Sequence, residues 1–182
     1  KSPALFLVNP ARFGASAWAG SIKMRGMTVL VTGGAGFVGS HFVRAACEQG
    51  RRVVILDDLS GMGVSACEAA PSIRLPDGAT LVRGDIGDEG LVRSLCREHS
   101  VSSLVHFAGK IQVGESVRKP ELYFDVNLGR SLRLLDTARD AGVAQVVFSS
   151  TAAVYGEPSK VPIPETASTA PVNPYGCSKL AF

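Results

Sequence analysis

The run Thr28-Val29-Leu30-Val31 passes directly into Thr32-Gly33-Gly34-Ala35-Gly36-Phe37-Val38-Gly39, and that junction leaves few folds open to the chain. Short runs of β-branched and aliphatic residues form buried strands, and the glycines allow a turn too tight for side chains. The next stretch has helical spacing, with Phe42, Val43 and Ala46 on one face and Gly50 as the stop. A second β-branched run, Arg52-Val53-Val54-Ile55-Leu56, comes after it and ends in Asp57-Asp58. Strand, glycine turn, helix and strand make one unit of a parallel sheet with helices on both faces.

The same alternation continues. Residues 59–78 carry Gly61, Gly63, Pro71, Pro76 and Gly78 and read as a loop with room for a short helix. A third strand is predicted over 80–83. Asp88 is placed to cap a helix whose Leu91, Val92, Leu95 and Cys96 share a face, and a fourth strand is predicted over 103–106. A single long helix is predicted over about 120–141, closed by Gly142, then a fifth strand over 145–148. Pro174 stands where proline favours the first turn of a last helix. The pattern predicts one domain over 27–182. Residues 1–26 are expected to be an extension outside the fold, since Met24 and Met27 sit just before the first strand.

Composition narrows the functional classes. With 46% apolar residues, 19% charged residues and a net charge of +3, the chain lacks the basic excess of a nucleic-acid binder or an anionic-membrane binder. The apolar run Ala4-Leu5-Phe6-Leu7-Val8 is too short for a membrane span. Cys47, Cys67, Cys96 and Cys177 have neither zinc-site spacing nor disulfide-scaffold density, so reduced thiols, a cytoplasmic setting and no metal are expected.

The motifs carry chemistry. Gly34-Ala35-Gly36-Phe37-Val38-Gly39 fits the dinucleotide fingerprint, in which a helix N-terminus faces the pyrophosphate. The acid Asp57 lies about 20 residues on, at the end of the second strand, as ribose recognition requires. A carboxylate there accepts from ribose hydroxyls and repels a 2′-phosphate, and no arginine follows it directly, which favours NAD over NADP. Asp85-Ile86 and Phe107-Ala108-Gly109 fall just past the third and fourth strands, where such sheets contact ligands. His106, ending an apolar strand, is expected to be a hydrogen-bonded packing residue and not a base.

Tyr175 and Lys179 are four apart on the last predicted helix, which sets their Cβ atoms about 5–6 Å apart on one face. A phenol is a poor base at neutral pH unless positive charge favours its ionised form, and a nearby ammonium and a nicotinamide ring both do so. Ser149-Ser150-Thr151 supplies hydroxyls at the end of the fifth strand to hold the same substrate oxygen.

Taken together, TGGAGFVGSH, LDDLS, GDI, HFAGKIQVGESV, FSSTAAVYGEP and NPYGCSK resemble the extended short-chain dehydrogenase/reductases that act on nucleotide sugars, and within them the 4-epimerase branch, over about residues 27–182. The resemblance implies an NAD-binding Rossmann domain that stops before its last strands and before the small C-terminal substrate domain. It implies Tyr175 as catalytic base, Lys179 as the residue that binds the nicotinamide ribose and assists Tyr175, and Thr151 as the partner of the sugar's 4-hydroxyl. It places Gly33, Gly36, Phe37, Val38, Asp57, Asp58, Asp85, Ile86, Phe107, Ala108, Lys110, Asn127, Ser149, Tyr175 and Lys179 around NAD. The implied reaction oxidises C4 of a UDP-sugar, lets the 4-keto ring turn over, and returns hydride to the other face. A homodimer of the full-length protein is implied, paired through the long helix and the one beginning at Pro174.

The chain departs from that family in three respects. Relatives carry the cofactor-contacting lysine one place after Lys110, where this chain has Ile111. The usual glycine three places after Asn127 is Arg130, with Gly129 before it. The family is also much longer, so the segment alone is expected to be inactive. The alternatives are a UDP-glucuronate epimerase or decarboxylase, a 4,6-dehydratase, and a non-catalytic NAD-binding fragment. Ala152-Ala153 after Thr151 speaks against dehydration, because dehydratases of this kind place Asp-Glu there.

Overall fold

A computed structural model describes residues 27–62 and 74–182. The expectations for residues 1–26, and for Gly63, Cys67 and Pro71, fall outside the described residues. Five strands form one sheet: β1 Thr28–Thr32, β2 Arg52–Asp57, β3 Ala79–Arg83, β4 Val101–His106 and β5 Gln145–Phe148. All neighbours are parallel and the order is β3-β2-β1-β4-β5, with Thr32 opposite Leu56 on one side and His106 on the other. The chain therefore steps outward from β1 to β3, then crosses back to β4. This is the doubly wound sheet expected from the sequence, and its order reverses between β1 and β4, the point at which sheets of this kind bind ligands at the strands' carboxyl ends.

Successive side chains of a strand point to opposite faces, so β1 feeds two cores. Leu30 joins Val54, Leu56 and Leu104 beneath α2 (Glu89–Glu98) and α5 (Ser131–Asp140), which contribute Val92, Leu95 and Leu134. Val29 and Val31 join Val53, Ile55 and Val105 beneath α1 (Phe37–Glu48), which contributes Val43 and Ala46. Burying each such side chain is worth about 1.5–3 kcal/mol, enough to fix the strand register and hence the positions of the loops above it. Asp88 caps α2 as expected, accepting the Leu91 amide at 3.0 Å.

The region predicted as one helix over 120–141 is different in detail. A separate short helix, α3 (Val113–Arg118), precedes it, and α4 (Pro120–Phe124) passes through a wide π turn at Asp125–Arg130 before α5 begins. Such a turn takes in an extra residue and breaks the regular periodicity that the sequence pattern assumes. A 3-10 turn at Ala152–Tyr155 follows β5, and α6 (Pro174–Ala181) closes the described structure. Cys47, Cys96 and Cys177 are free thiols. Among the described residues there is no cluster of possible metal ligands, and no helix is long and apolar enough to cross a membrane.

Candidate functional site

The glycine turn sits on the carboxyl end of β1, against the end of β4. Gly33 has φ +71°, and a Cβ there would lie 2.5 Å from the Ala108 amide nitrogen, so only glycine lets these two loops meet. Gly36 is the N-cap of α1. It offers no capping side chain, and no acid stands in the first turn. The orphan amides of α1 are thus free for an outside anion, and Phe37 beside them is 83% exposed. This fits the pyrophosphate of a dinucleotide.

Asp57 anchors the turn as well as standing ready for a ribose. Its Oδ2 accepts the Ala35 amide at 3.0 Å and its Oδ1 accepts the Leu59 amide at 2.9 Å, which leaves lone pairs on both oxygens for hydroxyl donors. Asp58 is exposed and accepts the Ser60 amide at 2.8 Å. One strand further out, Asp85 Oδ1 accepts the Gly87 amide at 2.7 Å and Oδ2 is paired with Arg130. The side chain of Ile86 is buried in the core, so a ligand there would meet its backbone.

The chemical end is built by α6. Asn173 caps that helix by accepting the Gly176 amide at 2.8 Å, and Pro174 opens it, as its position predicts. A Cβ on Gly176 would lie 2.8 Å from the Ala153 carbonyl oxygen, so α6 rests directly on the 3-10 turn after β5. Thr151 caps that turn through its Oγ1, which accepts the Ala153 amide at 3.2 Å. The close contact at Gly176 seats the backbone beside Tyr175 on the turn that Thr151 caps. Tyr175 also stands edge-on to Tyr123, with ring centroids 6.4 Å apart.

Lys179 is 5% exposed. Its Nζ donates to the Ser149 carbonyl oxygen at 3.1 Å and lies 4.6 Å from the centroid of the Phe148 ring. Burial pulls its pKa down from 10.5 to about 8. Ser149 therefore contributes a carbonyl that aims the ammonium. The loop after β4 lies alongside, since a Cβ on Gly109 would meet both Lys179 Nζ, at 3.3 Å, and Asn127 Oδ1, at 2.8 Å.

Asn127 is buried and faces the protein. Its Oδ1 accepts the Lys110 amide at 2.8 Å, and its Nδ2 donates to the Lys110 carbonyl at 3.0 Å and to Ser178 Oγ at 3.1 Å. Both amide hydrogens are spent, so Asn127 ties the loop that holds Phe107, Ala108 and Lys110 to α6. His106 is the packing residue expected: Nδ1 pairs with Thr32 Oγ1 at 2.6 Å and Nε2 with Ser131 Oγ at 2.9 Å. Burial first, and then the charge of Lys179, pull its pKa from 6.5 to about 3.

Three residues at the site escape the motif reading. Ser178 lies inside NPYGCSK, but its bond to Asn127 spans 51 positions. Tyr123 is fully buried and its hydroxyl donates to the Gln112 carbonyl at 2.7 Å, beside Glu115; burial, then that carboxylate, raise its pKa. Arg130 is visible in the sequence only as a departure from glycine, and Asp125 and Asp85 together hold its pKa above the ordinary arginine value.

Comparison with known proteins gives one consistent result. Residues 30–182 match the family described as GDP-mannose 4,6 dehydratase. The chain is 51% identical over 153 residues to UDP-glucose 4-epimerase of Streptomyces lividans, covering 84% of this chain and 44% of that protein. It superposes with a TM-score of 0.77 on the crystal structure of UDP-glucose-4-epimerase from Stenotrophomonas maltophila with bound NAD and formylated UDP-arabinopyranose, at 43% identity, covering 85% of this chain and 46% of that one. With dTDP-glucose 4,6-dehydratase from Streptomyces venezuelae, crystallised with NAD, the TM-score is 0.74 at 36% identity, covering 85% and 48%. The chain thus spans somewhat under half the length of each of these proteins.

Proposed function

From the premise that this chain belongs to the family described as GDP-mannose 4,6 dehydratase, we propose that residues 27–182 are the NAD-binding and proton-transferring part of a UDP-sugar 4-epimerase that interconverts UDP-glucose and UDP-galactose. The observation that carries this is the docking of α6. Gly176 seats it on the Thr151 turn, and Lys179 is buried with its ammonium on the Ser149 carbonyl. That docking supports a reading in which Tyr175, Lys179 and Thr151 act together beside the glycine turn and Asp57. The epimerases of Streptomyces lividans and Stenotrophomonas maltophila lend the sugar specificity its support.

Bound NAD supplies a hydride acceptor that becomes a donor. The rest falls to side chains. Thr151 holds the 4-hydroxyl oxygen, and Tyr175 accepts the hydroxyl proton as hydride leaves C4. Lys179, whose buried ammonium is aimed by the Ser149 carbonyl, is the residue assigned to the nicotinamide ribose. When the 4-keto ring has turned over, hydride returns to the opposite face and Tyr175 gives the proton back, so the reaction is redox-neutral overall. Asn127 holds the loop at Lys110 to α6.

The exposed apolar residues Phe124, Leu132 and Leu180, on the helices implicated by the family resemblance, support a dimer of the whole protein paired through these helices. Dehydration is the second reading, since a dTDP-glucose 4,6-dehydratase is among the structural neighbours. It is weakened by Ala152-Ala153, which supply neither the acid nor the base that elimination of water requires.

Product analysis decides between them. The protein carrying this chain, given UDP-galactose, is expected to form UDP-glucose, and Tyr175→Phe is expected to abolish turnover while NAD still binds. A 4-keto-6-deoxy product would replace epimerisation with dehydration. Turnover that survives Tyr175→Phe would remove Tyr175 from its role.

A further inference from the structure

The π turn at Asp125–Arg130 presents one side chain that the dinucleotide motif does not call for. The Arg130 guanidinium is shared between two carboxylates. Its Nε and Nη2 donate to Asp125 Oδ2 at 2.8 and 2.6 Å, and its Nη1 donates to Asp85 Oδ2. The stem of Arg130 runs over Gly87, where a Cβ would lie 3.2 Å from Arg130 Cγ. Asp85 Oδ1 meanwhile accepts the Gly87 amide. Asp85 is thus held at both oxygens. It still faces solvent, with 40% of its side chain accessible.

The sheet order says what that carboxylate faces. The glycine turn follows β1, Asp57 ends β2, and Asp85 lies past β3, the next strand outward. A dinucleotide with its pyrophosphate on the turn and its ribose on Asp57 extends its purine toward Asp85. A carboxylate offers about four lone-pair sites, of which Gly87 and Arg130 use two. The remainder accept from a donor. Adenine presents an amine at its C6 edge, whereas hypoxanthine presents an oxygen.

We propose that Arg130 is a positioning residue that braces Asp85 as the acceptor for the exocyclic amine of the cofactor's adenine, and so makes the site select adenine over 6-oxopurine dinucleotides. The proposal rests on NAD being the bound cofactor. A free aspartate would have to be ordered on binding, whereas Arg130 has already ordered this one in the folded protein.

The test is dinucleotide affinity in the protein carrying this chain after removal of bound cofactor, using NAD and nicotinamide hypoxanthine dinucleotide. Arg130→Met keeps the stem over Gly87 and removes the guanidinium. It is expected to weaken NAD about tenfold, the scale of one modest hydrogen bond, and to leave the hypoxanthine analogue unchanged. Arg130→Lys is expected to recover part of the loss, because an ammonium can pair with Asp85 but cannot bridge two carboxylates. Equal weakening of both dinucleotides would mark Arg130 as merely structural and overturn the proposal, as would unchanged NAD affinity. Wild-type protein that binds neither dinucleotide would overturn the NAD assignment itself. Should Arg130→Met not fold, Asp125→Asn loosens the guanidinium from its other side. It is expected to lower the NAD-to-analogue affinity ratio by a smaller factor, and an unchanged ratio overturns the proposal.

Discussion

Lys179 is the group whose removal separates chemistry from stability most cleanly. Its ammonium is desolvated with one carbonyl, that of Ser149, and the face of Phe148 as partners. The fall of its pKa from 10.5 to about 8, at about 1.4 kcal/mol per pH unit, corresponds to about 3 kcal/mol. Its sign comes from linkage. Below pH 8 folded and unfolded chains both hold the proton, and the buried charge opposes folding in full. Between pH 8 and 10.5 the folded chain sheds the proton while the unfolded chain keeps it, so stability rises with pH. Cys47 and Cys96 act in the opposite sense, because burial raises their pKa values and the stability they add below 9.0 is lost as pH rises. The observable is therefore the difference between wild type and Lys179→Met, in which the thiols cancel. Urea unfolding of the cofactor-free protein is expected to show Lys179→Met more stable at pH 7 by up to about 3 kcal/mol, reduced by the lost Ser149 contact, with the gap closing by pH 10. Turnover should be lost in the same variant. A Lys179→Met protein that is less stable at pH 7, or a gap equal at pH 7 and pH 10, would refute the reasoning.

Two more outcomes are expected from the same geometry. His106, neutral in the folded chain down to about pH 3, adds stability that is present above pH 6.5 and lost as pH falls from 6.5 toward 3, because the unfolded imidazole takes the proton first. Its ring resonances should keep their neutral positions at pH 5 in the folded protein, and a midpoint near 6.5 would contradict the effect of burial. Gly176→Ala drives a methyl to 2.8 Å from the Ala153 carbonyl and must shift α6, at a cost of about 1–3 kcal/mol. It should lower kcat more than NAD affinity, since it shifts the helix that carries Tyr175 but leaves the glycine turn intact; an unchanged kcat would remove Gly176 from the positioning of the site.

The sequence discloses the features that are decided locally. Val29, Leu30 and Val31 specify a buried strand by their own shape, Asp88 caps α2 through an amide three residues away, and Pro174 fits the first turn of α6 by its fixed φ. The dinucleotide turn is legible for the same reason, since Gly33, Gly36 and Asp57 belong to a single strand–helix–strand unit. The π turn is not legible, because residues 120–141 satisfy an uninterrupted helical period equally well, and tertiary partners choose between the two. Asp85 and Arg130 are 45 positions apart, and Asn127 and Ser178 are 51 apart. No local spacing announces such pairs.

Asn127 shows how a site residue can be found for one reason and retained for another. Family resemblance places it at the cofactor, whereas in the structure its amide bonds Lys110 and Ser178 inside the protein. The two facts meet in α6. That helix carries a desolvated ammonium that opposes folding. It therefore needs contacts that offset that cost. Asn127 to Ser178, Asn173 to Gly176, and the close approach of Gly176 to Ala153 are those contacts. Each involves a residue within three positions of Tyr175, so the interactions that offset the cost of burying Lys179 also hold the segment that carries the proposed base.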